Sequence, residues 1–574
     1  MASAIAPRRR SDPTRSWPTI VRLALSASTR DALRGLGWLM RGKRVRGWNV
    51  LHRAASLHRN YYRSWIAKAE PSIIQRFCTE RTAGNQSVRI GCLILASGSA
   101  HALETLKSVR LGLGAATPVW TNIAALADQG AQVIGSDLTL GEALAQIAVG
   151  ADWILPLPAG DIVARSLGAV LARATFDGSE SPAVFWDEDR WSNGRRNRPW
   201  IKPDWDALLF ARDSGGVVGA GLIALPVTQG AAEAQQASFD LAGIDGLVRQ
   251  ALAADCRTPV HLPLVLTHRG DSFRPGDSVR EPDRAVPPSR TGSSPAVSRW
   301  PAVSIIIPVR DRADLLRSCL VGLRSLNYPG HVDIVIVDND SVEADIHRLF
   351  AALECEAGVT VIPYPGAFNF AEMINHAAAN TSGDILCLLN NDVEPLDGDW
   401  LRTMVEHAVR ERVGAVGARL LYPDGTIQHA GVAIGIGGAA GHVQKGVTPD
   451  EPRFAQWHGR TRIVSAVTAA CLVVERRKFD LAGGMDGAAF AIDFNDVDLC
   501  LKLAAQGLDN VLVVEATLVH RESQSRGTAR SPEAAARFAR ELATLRTRWH
   551  TDDHRDPHHS PLFRAEAEQC LLAF

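Results

Sequence analysis

From residue 303 onward, short β-branched runs alternate with segments of helical period, which confines the second half of the chain to an α/β fold built on a largely parallel sheet. The run 303–309, Val-Ser-Ile-Ile-Ile-Pro-Val, is almost continuously apolar and reads as a buried strand. Residues 311–326 follow with Leu315, Leu316, Cys319, Leu320 and Leu323 on one helical stripe. Further strands are expected at 332–337, 359–362, 385–389, 415–421, 464–474 and 510–514, and helices at 369–380 and 496–506. The first half repeats this order more faintly. Residues 88–95 answer 303–309, 151–157 answer 383–389, and 260–269, ending Thr-His-Arg, answer 511–521, ending Val-His-Arg. An internal duplication is the natural explanation.

A chain of 574 residues exceeds what one core usually organises. Residues 270–301, rich in Pro, Ser, Arg and Asp, divide it as an interdomain linker does. The expected organisation is a basic helical segment over 1–85, an α/β domain over 86–270, a linker over 271–300, a second α/β domain over 301–550 and a tail over 551–574. The formal net charge is zero, which gives no reason to expect a nucleic-acid partner. Nine scattered cysteines without a CxxC pair fit a reduced, cytoplasmic compartment and no structural zinc. The longest apolar runs, 215–227 and 463–474, fall short of the roughly 20 residues a spanning helix needs. No apolar stretch follows Arg8, Arg9 and Arg10 to make a secretory signal.

Residues 1–70 hold fifteen Lys plus Arg against three Asp plus Glu. With Trp17, Ile20, Leu23, Trp38, Leu39, Trp65 and Ile66 among the charges, two expectations stand. One is peripheral contact with an anionic membrane at its inner face; the other is a basic helical array packed on the next domain.

In an open parallel sheet, ligands bind beyond the carboxyl ends of the strands. Strand 332–337 runs into Asp338-Asn339-Asp340, and strand 385–389 into Asn390-Asn391-Asp392-Val393-Glu394, so both acidic clusters belong on one edge. A lone Asp after a strand is usually a turn former, but two clusters at sheet spacing suit a hard divalent cation that keeps positions open for substrate phosphates. Asp496 and Asp498 open a helix, where residues two apart point about 200° apart. One of them therefore faces the cleft, and Asn495 with Asp498 offers a capping arrangement. His520, after the last strand, is by position alone a core residue. The Gly-rich run 435–441 is no dinucleotide fingerprint and reads as a flexible loop near substrate.

These residues carry a resemblance. Leu389-Asn390-Asn391-Asp392-Val393-Glu394-Pro395, Tyr422-Pro423-Asp424-Gly425-Thr426-Ile427-Gln428-His429-Ala430-Gly431, the segment 494–500 and His520-Arg521-Glu522-Ser523 resemble glycosyltransferase family 2, of GT-A fold, in the branch of bacterial O-antigen and rhamnan-type polysaccharide synthesis. The resemblance implies two GT-A-like, Rossmann-like domains with mostly parallel sheets behind a basic helical segment. It also implies a metal-dependent, inverting transfer from a nucleotide-diphosphate sugar to a glycan or polyprenyl-linked acceptor. It assigns Asp496 as general base, Asp392 and His520 as ligands of Mg²⁺ or Mn²⁺, and Pro308, Asp338, Asn390 and Asn391 as nucleotide-sugar contacts. The sequence departs from the family where Asn390-Asn391 replaces an Asn-Asp or Asp-Asp lead, where Asn495 replaces a Glu, and where Arg310-Asp311 replaces Tyr-Asn.

The first half resembles the family through Trp186-Asp187-Glu188-Asp189-Arg190, Asn193-Gly194-Arg195-Arg196 and Ile201-Lys202-Pro203-Asp204-Trp205. Its chemistry is eroded: Leu157-Pro158-Ala159-Gly160-Asp161 keeps one acid, Trp120-Thr121-Asn122 has none to match Asp338, and Gly243 stands where a base belongs. A degenerate, inactive copy is expected. The alternative class is a non-catalytic sugar-nucleotide or glycan-binding scaffold, against which the joint retention of Asp338, Asp392, Asp496 and His520 argues. A nucleotidyltransferase would need a basic Gly-rich loop after the first strand, where Pro308-Val309-Arg310-Asp311 stands.

Overall fold

The computed structural model describes residues 17–81, 88–95, 101–135, 137–174, 181–210, 217–225, 236–254, 257–270, 299–451, 457–521 and 531–574. Most of the expected linker, Arg8 to Arg10 and the Glu522-Ser523 end of the last motif lie outside these residues.

The first sheet holds β1 (Ile90–Leu95), β2 (Val119–Thr121), β3 (Gln132–Val133), β4 (Trp153–Pro158), β5 (Ile162–Val163), β6 (Ala183–Ser192), β7 (Arg195–Trp200), β8 (Gly221–Ala224) and β9 (Val260–Arg269). The second holds β10 (Val303–Val309), β11 (Val332–Asp338), β12 (Val359–Pro363), β13 (Ile385–Leu389), β14 (Val393–Pro395), β15 (Val413–Leu421) and β16 (Ile427–His429). After the ribbon strands β17 (Val432–Ile434) and β18 (Ala440–His442), it continues with β19 (Arg462–Val464), β20 (Cys471–Glu475) and β21 (Asp509–His520).

The strand orders are β3-β2-β1-β4-β8-β6-β9-β5 and β12-β11-β10-β13-β20-β15-β21-β14. They agree position by position. They also agree in direction: β1 and β10 run parallel to both neighbours, β8 and β20 antiparallel to both, β6 with β9 and β15 with β21 parallel, and β5 and β14 antiparallel to the strand beside them. The duplication read from the sequence is thus a duplication of topology.

β10 is buried along its whole length. Ile305 and Ile307 pack with Leu316, Leu320 and Leu401 on one side, and Ile306 packs with Met373 and Ile374 on the other. A strand covered on both faces needs an unbroken apolar run rather than an alternating one. The expected strand 464–474 is instead two strands, β19 and β20. Between them the amides of Thr468 and Ala469 leave the ladder to donate to His429 Nε2 and Asp496 Oδ2, at 3.4 and 3.0 Å.

Five helices precede the first sheet: Trp17–Ala27, Thr29–Met40, Arg44–Ser56, Tyr61–Lys68 and Glu70–Thr79. Ile20, Leu23, Leu51, Tyr61 and Trp65 are buried in one cluster with Phe185 of β6 and with Phe563, Cys570 and Leu572. This is the packed-array expectation, and it withdraws Ile20, Leu23 and Trp65 from any membrane-facing set. Residues 551–574, expected as a tail, lie against the helices: Trp65 Nε1 donates to Ala573 O at 2.8 Å and Tyr61 Oη to Leu572 O at 3.2 Å. The same segment supports the β17–β18 ribbon, where Gly437 N donates to Ala565 O, Gln444 N to Glu568 O and Ile434 N to Asp556 Oδ2. The Gly-rich run is therefore the turn of an anchored hairpin. Gly435, Gly437 and Gly438 take φ of 92°, 64° and 72°, a conformation that favours glycine.

The two halves also meet directly through the Ile201-to-Trp205 motif and Asp206. Trp457 Nε1 donates to Ile201 O at 2.9 Å, Ile463 N to Asp206 Oδ2 at 2.8 Å, and Arg555 pairs with Asp204 at 2.6 Å. The eight described cysteines are unpaired, and no helix among the described residues is long and apolar enough to cross a membrane.

Candidate active site

Antiparallel pairing of β14 with β21 sets Val393 opposite His520. Asp392, one residue before β14, is thereby brought beside the end of β21, and its Oδ1 stands 3.2 Å from His520 Nε2. Both side chains are nearly buried, at 4% and 6% exposure. His520 Nδ1 is buried and finds no hydrogen-bond partner among the described residues. Next to the pair, Arg521 turns outward to grip Glu394 with two bonds of 2.7 and 3.1 Å.

Asp496 enters from the helix Asn495–Ala505. Phe494 precedes the helix as its N-cap with φ 64°, a left-handed conformation that costs roughly 1–2 kcal/mol. Asp498 secures the opposite face. It is fully buried and bound by Arg548 Nη1 and Trp549 Nε1, both at 2.9 Å, and by Lys502 at 3.0 Å. The expected capping role of Asn495 with Asp498 is not what the structure uses: Asn495 donates to Ile492 O, and Asp498 ties the helix to Pro532–Trp549. Asp496 accepts amide hydrogens from Ala469 at Oδ2 and from Val497 at Oδ1, at 3.0 and 2.8 Å. Burial raises its pKa above the ordinary carboxylate value, against the pull of these hydrogen bonds.

Asn390, Asp392, Asp496 and His520 line one cavity of about 340 Å³, together with Gln428, His442, Thr468, Ala469, Asp493 and the rings of Phe370, Phe494 and Phe538. Pro308, Asp338 and Asn391 are not in that lining. Asp338 ends β11 in register with Val309 and Pro363 and accepts the Ser341 amide at 3.1 Å. Gln428, His442, Thr468 and Asp493 escaped the sequence reading. Gln428 lies within a motif that pointed toward the site, whereas His442 reaches it only through the ribbon pairing.

The donor set fits a hard divalent cation. Cis ligands of an octahedral ion with bonds near 2.1 Å sit about 3 Å apart, close to the Asp392–His520 separation. Among the described residues no third His, Cys, Asp or Glu completes a cluster, so most positions would remain for phosphate oxygens and water.

The first half answers this site with its own cations. Asp161 and His268 hold the places of Asp392 and His520, since Ile162 stands opposite His268 across β5 and β9. There His268 Nδ1 binds Asp189 Oδ1 at 2.8 Å, and Arg269 turns inward. Its guanidinium bonds Glu188 at 2.6 Å and approaches Asp161 to 3.9 Å, while the fully buried Lys202 holds Glu188 at 3.1 Å. The helix Leu241–Ala254 has no acid in its first turn, where the second half places Asp496.

Residues 304–472 match the family model "Glycosyl transferase family 2". The chain carries a family 2 glycosyltransferase domain. Relatives of the chain include the O-antigen biosynthesis protein RfbC of Myxococcus xanthus, 32% identical over 67% of this chain and 32% of that protein. The uncharacterized protein y4gI of Sinorhizobium fredii is 43% identical over 48% of this chain and 30% of its own length. The chain thus spans about a third of these two relatives. Solved structures similar to it include the mannosyltransferase PcManGT of Pyrobaculum calidifontis in complex with GDP-Man and Mn²⁺ (16% identity, TM-score 0.33, 46% of this chain and 68% of that one). The GalNAc-T7 structure with UDP, GalNAc and Mn²⁺ is another (15% identity, TM-score 0.34, 39% and 44%). The family 2 match begins in β10 and ends in β20, so it contains Asp392 and stops short of Asp496 and His520.

Proposed function

We propose that the second half catalyses inverting transfer of a sugar from a nucleoside-diphosphate donor to a hydroxyl of a glycan or lipid-linked acceptor in cell-surface polysaccharide synthesis. The first half is an inactive copy that supports it. One observation carries this reading: a buried carboxylate with raised basicity, Asp496, shares a single cavity with the Asp392–His520 pair. Asp496 accepts the acceptor hydroxyl proton as that oxygen attacks the anomeric carbon, and the bond to the diphosphate breaks on the opposite face. Asp392 and His520 would hold Mg²⁺ or Mn²⁺, which supplies positive charge to the departing diphosphate. Asn390 orients the same end of the donor. Asp338, one strand beyond β10, receives the base or ribose, with Pro308 of β10 and Asn391 as further donor contacts.

In the first half, Arg269 and Lys202 supply internally the charge that a metal brings in the second. The membrane contact we propose is the exposed corner between the second and third helices, where Arg41, Lys43, Arg44 and Arg46 lie around Met40 and Val45, 85% and 59% exposed. Each basic side chain near an anionic surface contributes about 1 kcal/mol, which supports a proposed location at the inner face of the membrane beside a lipid-linked acceptor.

The deciding experiment screens UDP-, GDP- and dTDP-sugars with Mg²⁺ or Mn²⁺ and measures nucleoside diphosphate release by wild type and Asp496→Asn. Turnover of one donor by wild type, largely lost in the variant, is expected. Equal turnover of every donor by both proteins removes Asp496 as base, and an inert wild type favours a binding scaffold.

A further inference from the structure

Four acids stand between residues 486 and 498, around the start of the helix Asn495–Ala505, and the fold uses three of them. Asp486 accepts Ala489 N at 3.0 Å and Arg548 Nη2 at 2.9 Å. Asp496 accepts its two amides, and Asp498 is held by Arg548, Trp549 and Lys502. Asp493 differs. Among the described residues its carboxylate meets only Arg537, through Oδ2 at 3.4 Å, where a strong ion-pair hydrogen bond measures about 2.7–2.9 Å. The side chain remains 32% exposed and lines the cavity that holds Asp392, Asp496 and His520. Nor does the local backbone depend on it. Asn495 Nδ2 donates to Ile492 O at 3.1 Å and Asp493 N to Glu541 Oε2 at 2.6 Å, so the turn is fastened on both sides without the Asp493 side chain.

A loosely paired carboxylate in a cavity wall repels a diphosphate and favours hydroxyl hydrogens, which it accepts with charge-assisted strength. Its place decides whose hydroxyls these are. The Asp392–His520 pair, carried by β14 and β21, marks the diphosphate end. Asp493 is carried by the segment that bears the base, three residues before Asp496, and Phe494 beside it lines the same wall. In the proposed inverting displacement, diphosphate and incoming hydroxyl occupy opposite faces of the anomeric carbon, so the wall that holds the base faces the acceptor. A carboxylate next to an aromatic ring suits a sugar: hydroxyls bond the one while the C–H face of the sugar rests on the other. The two oxygens of the carboxylate match two adjacent hydroxyls.

We propose that Asp493 binds the acceptor, accepting hydrogen bonds from two adjacent hydroxyls of its terminal sugar, and so selects the acceptor rather than the donor. This rests on the glycosyl-transfer reading and names the acceptor class of that site, a glycan ending in a sugar with a vicinal diol.

The test uses the full chain, the donor that wild type turns over fastest, and p-nitrophenyl glycosides of glucose, galactose, mannose, rhamnose and N-acetylglucosamine as acceptors. A hydrogen bond to a charged group corresponds to roughly a 10- to 150-fold change. Asp493→Ala is expected to raise the acceptor KM by that factor, and Asp493→Asn, which keeps one accepting oxygen, by less. Donor affinity in calorimetry stays as in wild type for both. Arg537→Ala, which removes the partner but keeps the carboxylate, changes the acceptor KM far less than Asp493→Ala does. Equal effects of these two variants would reduce Asp493 to half of a structural pair and overturn the proposal. An unchanged acceptor KM, or a loss of donor affinity, overturns it as well, and so does a panel in which no glycoside serves as acceptor. Should Asp493→Ala not fold, monodeoxy forms of the best glycoside decide with wild type and Asp493→Asn. Loss of either of two adjacent hydroxyls should cost wild type the same factor and the variant less, whereas tolerance of every single deoxygenation refutes the contact. Wild type inert toward every donor would instead mark failure of the underlying glycosyl-transfer reading.

Discussion

Replacing Asp496 with Asn keeps the shape of the side chain and removes its basicity. A positioned general base contributes 10²- to 10⁴-fold, or about 2.7–5.5 kcal/mol of barrier. The substitution also has a predictable structural cost. Both carboxylate oxygens accept backbone amides, from Ala469 and Val497, so whichever way the new amide turns, its NH2 faces an N–H donor. One hydrogen bond is lost and a buried amide is left unpaired, at about 1–3 kcal/mol. In a domain of this size that lowers Tm by roughly 2–10 °C. Nucleoside diphosphate release under saturating donor, with donor affinity measured separately by calorimetry, separates the two effects. The expected result is a kcat reduced at least 100-fold, unchanged donor affinity and a modest fall in Tm. A kcat within about threefold of wild type, or a loss confined to donor affinity, would refute the assignment.

Burial lifts the Asp496 pKa, and a base works only when ionised, so kcat/KM should fall as pH decreases through a value above the usual Asp figure of about 3.9; Asp496→Asn should abolish that limb. Asp392→Asn should abolish metal-dependent donor binding in calorimetry while leaving metal-free nucleotide affinity nearly as it was. Arg269→Ala should destabilise the protein by about 3–5 kcal/mol, the cost of breaking a buried pair, with transfer by the folded fraction intact; activity lost with Asp161→Ala but kept with Asp392→Ala would reverse the roles of the halves. Substituting Arg41, Lys43, Arg44 and Arg46 together by Ser should remove sedimentation with phosphatidylglycerol vesicles, and unchanged sedimentation would rule out the turn as the membrane contact.

Much of this was legible because apolar runs and periodicity report burial directly. β10, β13 and β9 fall where the sequence placed them, and the faint repeat between the halves became a strand-for-strand match. Residues placed by long-range pairing were harder to read. The apolar stretch 464–474 conceals a break because its amides serve side chains from elsewhere in the chain, His429 and Asp496, and composition records nothing of that. His442, just past the glycine run, carries no local signal, since the ribbon and its support by residues 551–574 bring it to the cavity. Asp498 had a plausible local partner in Asn495, but Arg548 and Trp549, fifty residues away, provide stronger ones.

Tyr61 and Leu572, which share a hydrogen bond, are separated by 511 positions along the chain. Closing so wide a loop adds little to equilibrium cost, since each doubling in length contributes only about 0.6 kcal/mol, but it postpones the contact until both sheets exist. Until then Ile20, Leu51 and Trp65 present a sticky apolar face to the surroundings. Refolding should therefore show its most aggregation-sensitive phase late, after native strand content has been regained, and a synthetic peptide spanning 551–574 supplied in trans should compete for that face and slow the recovery of activity.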